Sequence, residues 1–175
     1  MLVVLPFENM GDAEDDYFAA GMAEEITSRL SSVTGLGVIS RKSAMSYADT
    51  EKSIREIGDE LGVEYVLEGT IRWARAEAGA SRVRITPQLI RIRDDTQVWS
   101  DSYDRIIDDI FDVQAEIATE VTEKLGISLL EPQRAALSER PTGDVQAWQD
   151  YLRGRDYSRR YDFEGRNSLY PDFCR

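Results

Sequence analysis

Histidine is absent from this 175-residue chain, and cysteine occurs once, at Cys174. Without histidine there is no Ser-His or Cys-His pair, no imidazole base poised near neutral pH and none of the commonest zinc ligand. A lone cysteine forms no internal disulfide, so cysteine usage does not distinguish a cytoplasmic from a periplasmic location. Basic residues are also few, 21 against 33 acidic ones for a net charge of −12, which argues against nucleic acid, since phosphate binding draws on clustered Lys and Arg. No apolar run approaches the roughly 18 residues that a membrane helix needs, so direct membrane insertion is not expected. The P-loop, the G-x-G-x-x-G turn, H-E-x-x-H and C-x-x-C are missing, and no cofactor, metal or catalytic residue is expected.

What is present suffices for one domain and an appendage: 42% of residues are hydrophobic. The chain centres on residues 64–93. Tyr65, Leu67, Ile71 and Trp73 alternate on one face of a strand, a Gly/Ala connection follows, and Val83, Ile85 and Leu89 continue the alternation on a second strand. Pro87 interrupts that second strand and predicts a bulge or an edge. Residues 2–7 read as a central strand rather than a targeting segment, and the chain as a piece of a larger protein.

After an acidic loop, Phe18, Met22, Ile26, Leu30 and Val33 give a helical stripe that stops at Gly35. Residues 36–41 read as a short strand. Ser53 with Glu56 forms a capping box for a helix ending at Gly62. Residues 97–105 read as a third consecutive strand, and Asp108 or Asp109 caps a helix to Leu125. The predicted class is α/β of the mixed α+β kind, in the order β-α-β-α-β-β-β-α, with an antiparallel three-strand meander. Its domain covers residues 1–127, a linker with a short helix covers 128–143, and a helical segment with a tail covers 144–175.

Three groups of residues invite a functional reading. Paired carboxylates at Glu24/Glu25, Asp94/Asp95 and Asp108/Asp109 fit caps, turns and solvated surfaces better than acid-base chemistry, and the loop from Asp12 to Asp16 lacks the spacing of a calcium loop. Arg41 and Arg72, near strand ends, could hold a small anionic ligand in bidentate fashion; the structural alternative pairs them with Glu68, Asp101 or Asp104. Trp148, Tyr151 and Leu152 form an apolar stripe on a helix, an interaction surface for a protein partner or for self-association through the C-terminal helix.

Several segments carry a resemblance: Val4-Leu5-Pro6-Phe7-Glu8-Asn9, Asp16-Tyr17-Phe18-Ala19-Ala20-Gly21-Met22-Ala23-Glu24-Glu25-Ile26, Glu64-Tyr65-Val66-Leu67-Glu68-Gly69-Thr70-Ile71-Arg72, Trp99-Ser100-Asp101-Ser102-Tyr103-Asp104 and Asp109-Ile110-Phe111-Asp112-Val113-Gln114. The chain resembles the TolB-like amino-terminal domain of bacterial multidomain signalling proteins, and the resemblance covers about residues 2–125. The resemblance implies fusion to a cyclase, winged-helix or Ser/Thr kinase domain, with tetratricopeptide repeats after it. Asp144-Val145-Gln146-Ala147-Trp148 is similar to the start of such a repeat. The function it implies is a non-catalytic binding or scaffold domain, with an anion sensor and the regulatory part of a cyclase or kinase as alternatives.

Overall fold

The apolar run at the N-terminus forms β1 (Leu2–Val4), and Pro6, with no N–H to donate, separates it from the two-residue β2 (Glu8–Asn9). In the computed structural model, residues 1–48, 50–74, 81–140 and 142–168 are described. The acidic loop leads into α1 (Asp16–Ser31), followed by α2 (Arg41–Met45) and α3 (Ile54–Leu61). The hairpin strands are β3 (Tyr65–Ala74) and β4 (Arg82–Arg91); β5 (Thr96–Ser100) and β6 (Tyr103–Ile106) follow. Then come α4 (Ile110–Lys124), α5 (Glu131–Ser138) and α6 (Val145–Ser168). The mixed α/β class expected from the sequence is the one observed.

β3 is the axis of the sheet. Both β1 and β2 run parallel to it, pairing Leu2 with Tyr65 and Glu8 with Thr70, while β4 runs antiparallel along its whole length. β1 therefore lies outside β3 rather than at the centre. Beyond it, residues 36–41 contribute an isolated bridge, Val38 to Leu2, in place of the expected strand. The reason is local: Ser40 already accepts a hydrogen bond from the Ser43 amide as N-cap of α2, so the chain turns into a helix before a ladder can grow.

Pro87 explains another departure. It sits inside β4, opposite Gly69 on β3, and is buried rather than at an edge. Its carbonyl accepts from the Asp101 amide, so its missing donor faces the same side. Opposite that gap the third meander strand opens at Asp101 and Ser102 and becomes two strands, β5 and β6, both antiparallel to β4. The bulge that the proline suggested occurs three residues on, as a register shift between Leu89 and Ile90.

Side chains fill both faces of the sheet at one end. Val3, Leu5 and Val66 meet Ala44, Ile57, Val63 and Ile92 under α2 and α3. On the opposite face, which carries Leu67, Ile71 and Trp73, Phe18 of α1 meets Trp73 edge-on at 4.8 Å between ring centroids. Met22, Ile26, Ile110, Phe111 and Ile117 from α1 and α4 are fully buried. Helix ends follow the expected chemistry: the Ser53/Glu56 capping box is complete, and Gly35, Gly62 and Gly126 take positive φ after their helices.

The chain divides into two compact units, Met1–Pro141 and Thr142–Arg175. Residues 128–143, expected as a linker with a short helix, do contain one, α5, and it is packed. Leu137 is buried, and the Arg29 guanidinium of α1 donates to its carbonyl. In the second unit one unbroken 24-residue helix, α6, extends well past the expected end near Arg155. A tetratricopeptide repeat needs two helices in about 34 residues, and the described residues of this unit hold one. The Leu-Tyr-Pro-Asp-Phe segment lies outside the described residues.

Candidate functional site

The two arginines singled out in the sequence lie apart. Arg41, at the start of α2, directs its Nε to Glu24 of α1 at 2.8 Å. Arg72 is exposed near the end of β3 and faces Arg84 across the hairpin, and no described contact joins it to Arg41. The expected acidic partners are also engaged differently. Asp104 accepts from Arg82 Nε and Arg84 Nη2, each at 2.8 Å, and these two guanidiniums hold its carboxyl below the usual carboxylate range. Glu68 accepts from Gln88 Nε2 at 2.6 Å on the neighbouring strand.

The carboxylate pairs have structural work. Asp94 binds Arg91 at 2.9 Å, Asp95 takes the left-handed turn at φ 51°, and Asp109 is the N-cap of α4 without a side-chain cap bond. The acidic loop is closed by Asn9, whose amide donates to Asp16 and to the Asp12 carbonyl, both at 2.7 Å. Among the described residues no group of three or more Cys, Asp or Glu is arranged to hold a metal. On α6, Trp148 and Leu152 are buried while Tyr151 is 56% exposed.

A groove that the sequence reading missed lies between α4 and the opening in the meander. Its volume is about 560 Å³, and its walls include Asp101, Tyr103 and Arg105 on one side with Asp112, Glu116 and Glu120 on the other. Two causes create it. Pro87 parts the strand at Asp101 and Ser102, and the turns of α4 present Asp112, Glu116 and Glu120 at a spacing of four, which puts them on one helix face. Like charges at that spacing cost a helix some tenths of a kcal/mol per pair. Partial compensation comes from Arg140, at 2.6 Å from Asp112, and from Arg105 and Lys124, at a loose 3.9 Å from Glu116 and Glu120.

Tyr103 is the floor of this groove. It pairs with Ile85 in register and is 5% exposed, yet its hydroxyl has no hydrogen-bond partner among the described residues. Burial first, then the charges of Asp101, Glu116 and Glu120, push its ionisation far above the ordinary tyrosine value, so the phenol stays neutral. The neutral hydroxyl can donate or accept a hydrogen bond, and the carboxylates that line the groove with it accept.

The sequence of residues 1–120 matches the family model of the HilA/YgeH-like transcriptional regulator, second domain. The chain belongs to that family. Within the HilA/YgeH-like second domain so defined lie the whole sheet and most of α4. A similar protein is "Putative adenylate cyclase 3" of Rhizobium meliloti (strain 1021), 39% identical over 155 residues, which are 88% of this chain and 26% of that protein. The chain thus spans about a quarter of that relative's length. Solved structures of similar arrangement include TolB from Acinetobacter baumannii, with 13% identity over 71% of this chain and 27% of that one at a TM-score of 0.49. Another is the PelC dodecamer from Paraburkholderia phytofirmans in space group P6, with 18% identity over 73% of this chain and 88% of that one at a TM-score of 0.47. The sequence resemblance was to the TolB-like domain; the family whose model matches is the HilA/YgeH-like second domain.

Proposed function

We propose that this chain is a non-catalytic binding domain of a bacterial regulatory protein, one that connects an effector domain to the rest of a longer chain by holding a protein partner. The observation that carries the reading is the groove between α4 and the opened meander, whose one buried functional group is a neutral phenol and whose walls are acidic. Membership in a family of regulator domains supports the same reading. Tyr151, 56% exposed on α6, supports a second contact there, on the stripe it shares with Trp148 and Leu152, for a partner or another copy of the chain.

A more specific version follows from the Rhizobium meliloti relative: the effector is a nucleotide cyclase whose catalytic domain lies outside this chain. The test is incubation of the purified chain with ATP or GTP and a divalent cation, followed by assay for cyclic nucleotide and for free phosphate. No product is expected. Turnover that scales with the amount of chain would overturn the non-catalytic reading.

A further inference from the structure

We infer that the groove between α4 and the parted meander is a receptor for a cationic group, the guanidinium of an arginine or the ammonium of a lysine or free polyamine, seated on the Tyr103 hydroxyl between the Asp101 and Glu116/Glu120 carboxylates. This deepens the binding-domain reading and rests on it. Two independent observations support it. The first is the wall: Asp101, Asp112, Glu116 and Glu120 against Arg105 as the one basic lining residue. The second is Tyr103, 5% exposed and lining the groove, with a hydroxyl that has no partner among the described residues.

The chemistry selects the ligand. A phenol oxygen and carboxylates accept hydrogen bonds, so the groove suits a donor with several N–H groups, and a guanidinium offers five in a planar fork. An anion would meet at least three carboxylates and is excluded on charge. A metal ion would need ligands gathered more closely than the described residues provide. Arg105, whose guanidinium lies 3.9 Å from Glu116 and donates to the Asp104 carbonyl at 3.4 Å, occupies part of the space that an incoming cation would take, and both contacts are long enough to be given up at little cost. A volume of about 560 Å³ exceeds one side chain and accommodates the residues flanking it.

The experiment is a calorimetric titration of the full chain at low salt with a capped oligoarginine peptide and, separately, with spermidine. Three variants accompany it: Tyr103→Phe, Glu116→Gln and, as a control for diffuse attraction by net charge, the exposed Asp59→Asn on α3. Melting curves verify that each is folded. Saturable binding is expected for the wild-type chain, weakened about tenfold by Tyr103→Phe and by Glu116→Gln and unchanged in Asp59→Asn. If the peptide binds and spermidine does not, the group comes from a protein segment; if both bind and both respond to Tyr103→Phe, a free polyamine shares the site. The inference is overturned if nothing saturates, if Tyr103→Phe binds as the wild type does, or if Asp59→Asn weakens binding as much as Glu116→Gln. Such failure would remove the cation site while leaving the turnover test of the non-catalytic reading to stand on its own.

Discussion

Two residues in the hairpin show how closely the sheet is fitted. A Cβ added to Gly69 would stand 2.7 Å from the Thr86 carbonyl oxygen, 2.9 Å from the Pro87 Cα and 3.0 Å from Phe7. Two of these are backbone atoms that cannot step aside, so Gly69→Ala is expected to cost about 1–3 kcal/mol, read as a lower denaturant midpoint at an unchanged slope. Its neighbour Glu68 is half-buried. Burial raises its carboxyl pKa, the Gln88 bond opposes that, and the Glu8 charge adds to it. A carboxyl whose folded pKa lies above the unfolded one costs stability as pH rises through the unfolded value, and it costs nothing in acid where both states are protonated. Glu68→Gln keeps an oxygen for Gln88 and is therefore expected to raise the melting temperature at neutral pH and leave it unchanged at acid pH. Asp104 has the opposite sign. Arg84 and Arg82 depress its pKa, so its contribution is present above the unfolded value and is lost as pH falls through the folded one. Asp104→Asn should lower the melting temperature at neutral pH and converge with the wild type in acid.

At the scale of elements, local chemistry decided what was legible. The Ser53/Glu56 box, the glycine stops and the alternation of β3 are signals between near neighbours, and the structure realises each of them. Ser53→Ala should cost about 1 kcal/mol in thermal or chemical unfolding through loss of the α3 cap. The misread elements were settled at longer range. Residues 36–41 have strand composition, but Ser40 commits them to a helix start; residues 97–105 read as one strand, but the proline on the adjacent strand divides them. Helix α5 was expected as a short helix within a linker, and its packing was not legible because Pro132 in its first turn, Pro141 after it and its small apolar content mark a connection. What fixes it is Arg29, a buried guanidinium more than a hundred residues earlier whose donation to Leu137 no sequence window reveals. Arg29→Ala should cost about 1–3 kcal/mol by leaving that carbonyl unmatched, and should speed hydrogen exchange in α5 more than in β3.

At the scale of the molecule, the acidic excess is what the groove expresses locally. The spacing of Asp112, Glu116 and Glu120 along α4 could be read in the sequence, yet by itself it described a solvated helix face. It became a site when the fold set Tyr103 beneath it and Pro87 opened the strand beside it, and neither juxtaposition has a local signature. The arginines, by contrast, were chosen for their type, and type does not reveal partners: Arg41 was already committed to Glu24. Residues 1–120 belong to the HilA/YgeH-like second-domain family, and the chain spans about a quarter of the cyclase-named relative.

The measurement that tests this most directly is thermal unfolding of the chain against nucleotides, cyclic nucleotides, organic acids and an oligoarginine peptide. A partner present at about one hundred times its dissociation constant adds about 2.7 kcal/mol, a rise of several degrees in a domain of this size. A saturable rise with the cationic peptide and none with nucleotides is the expected result; a saturable rise with a nucleotide or an organic acid, and none with the peptide, would contradict the account.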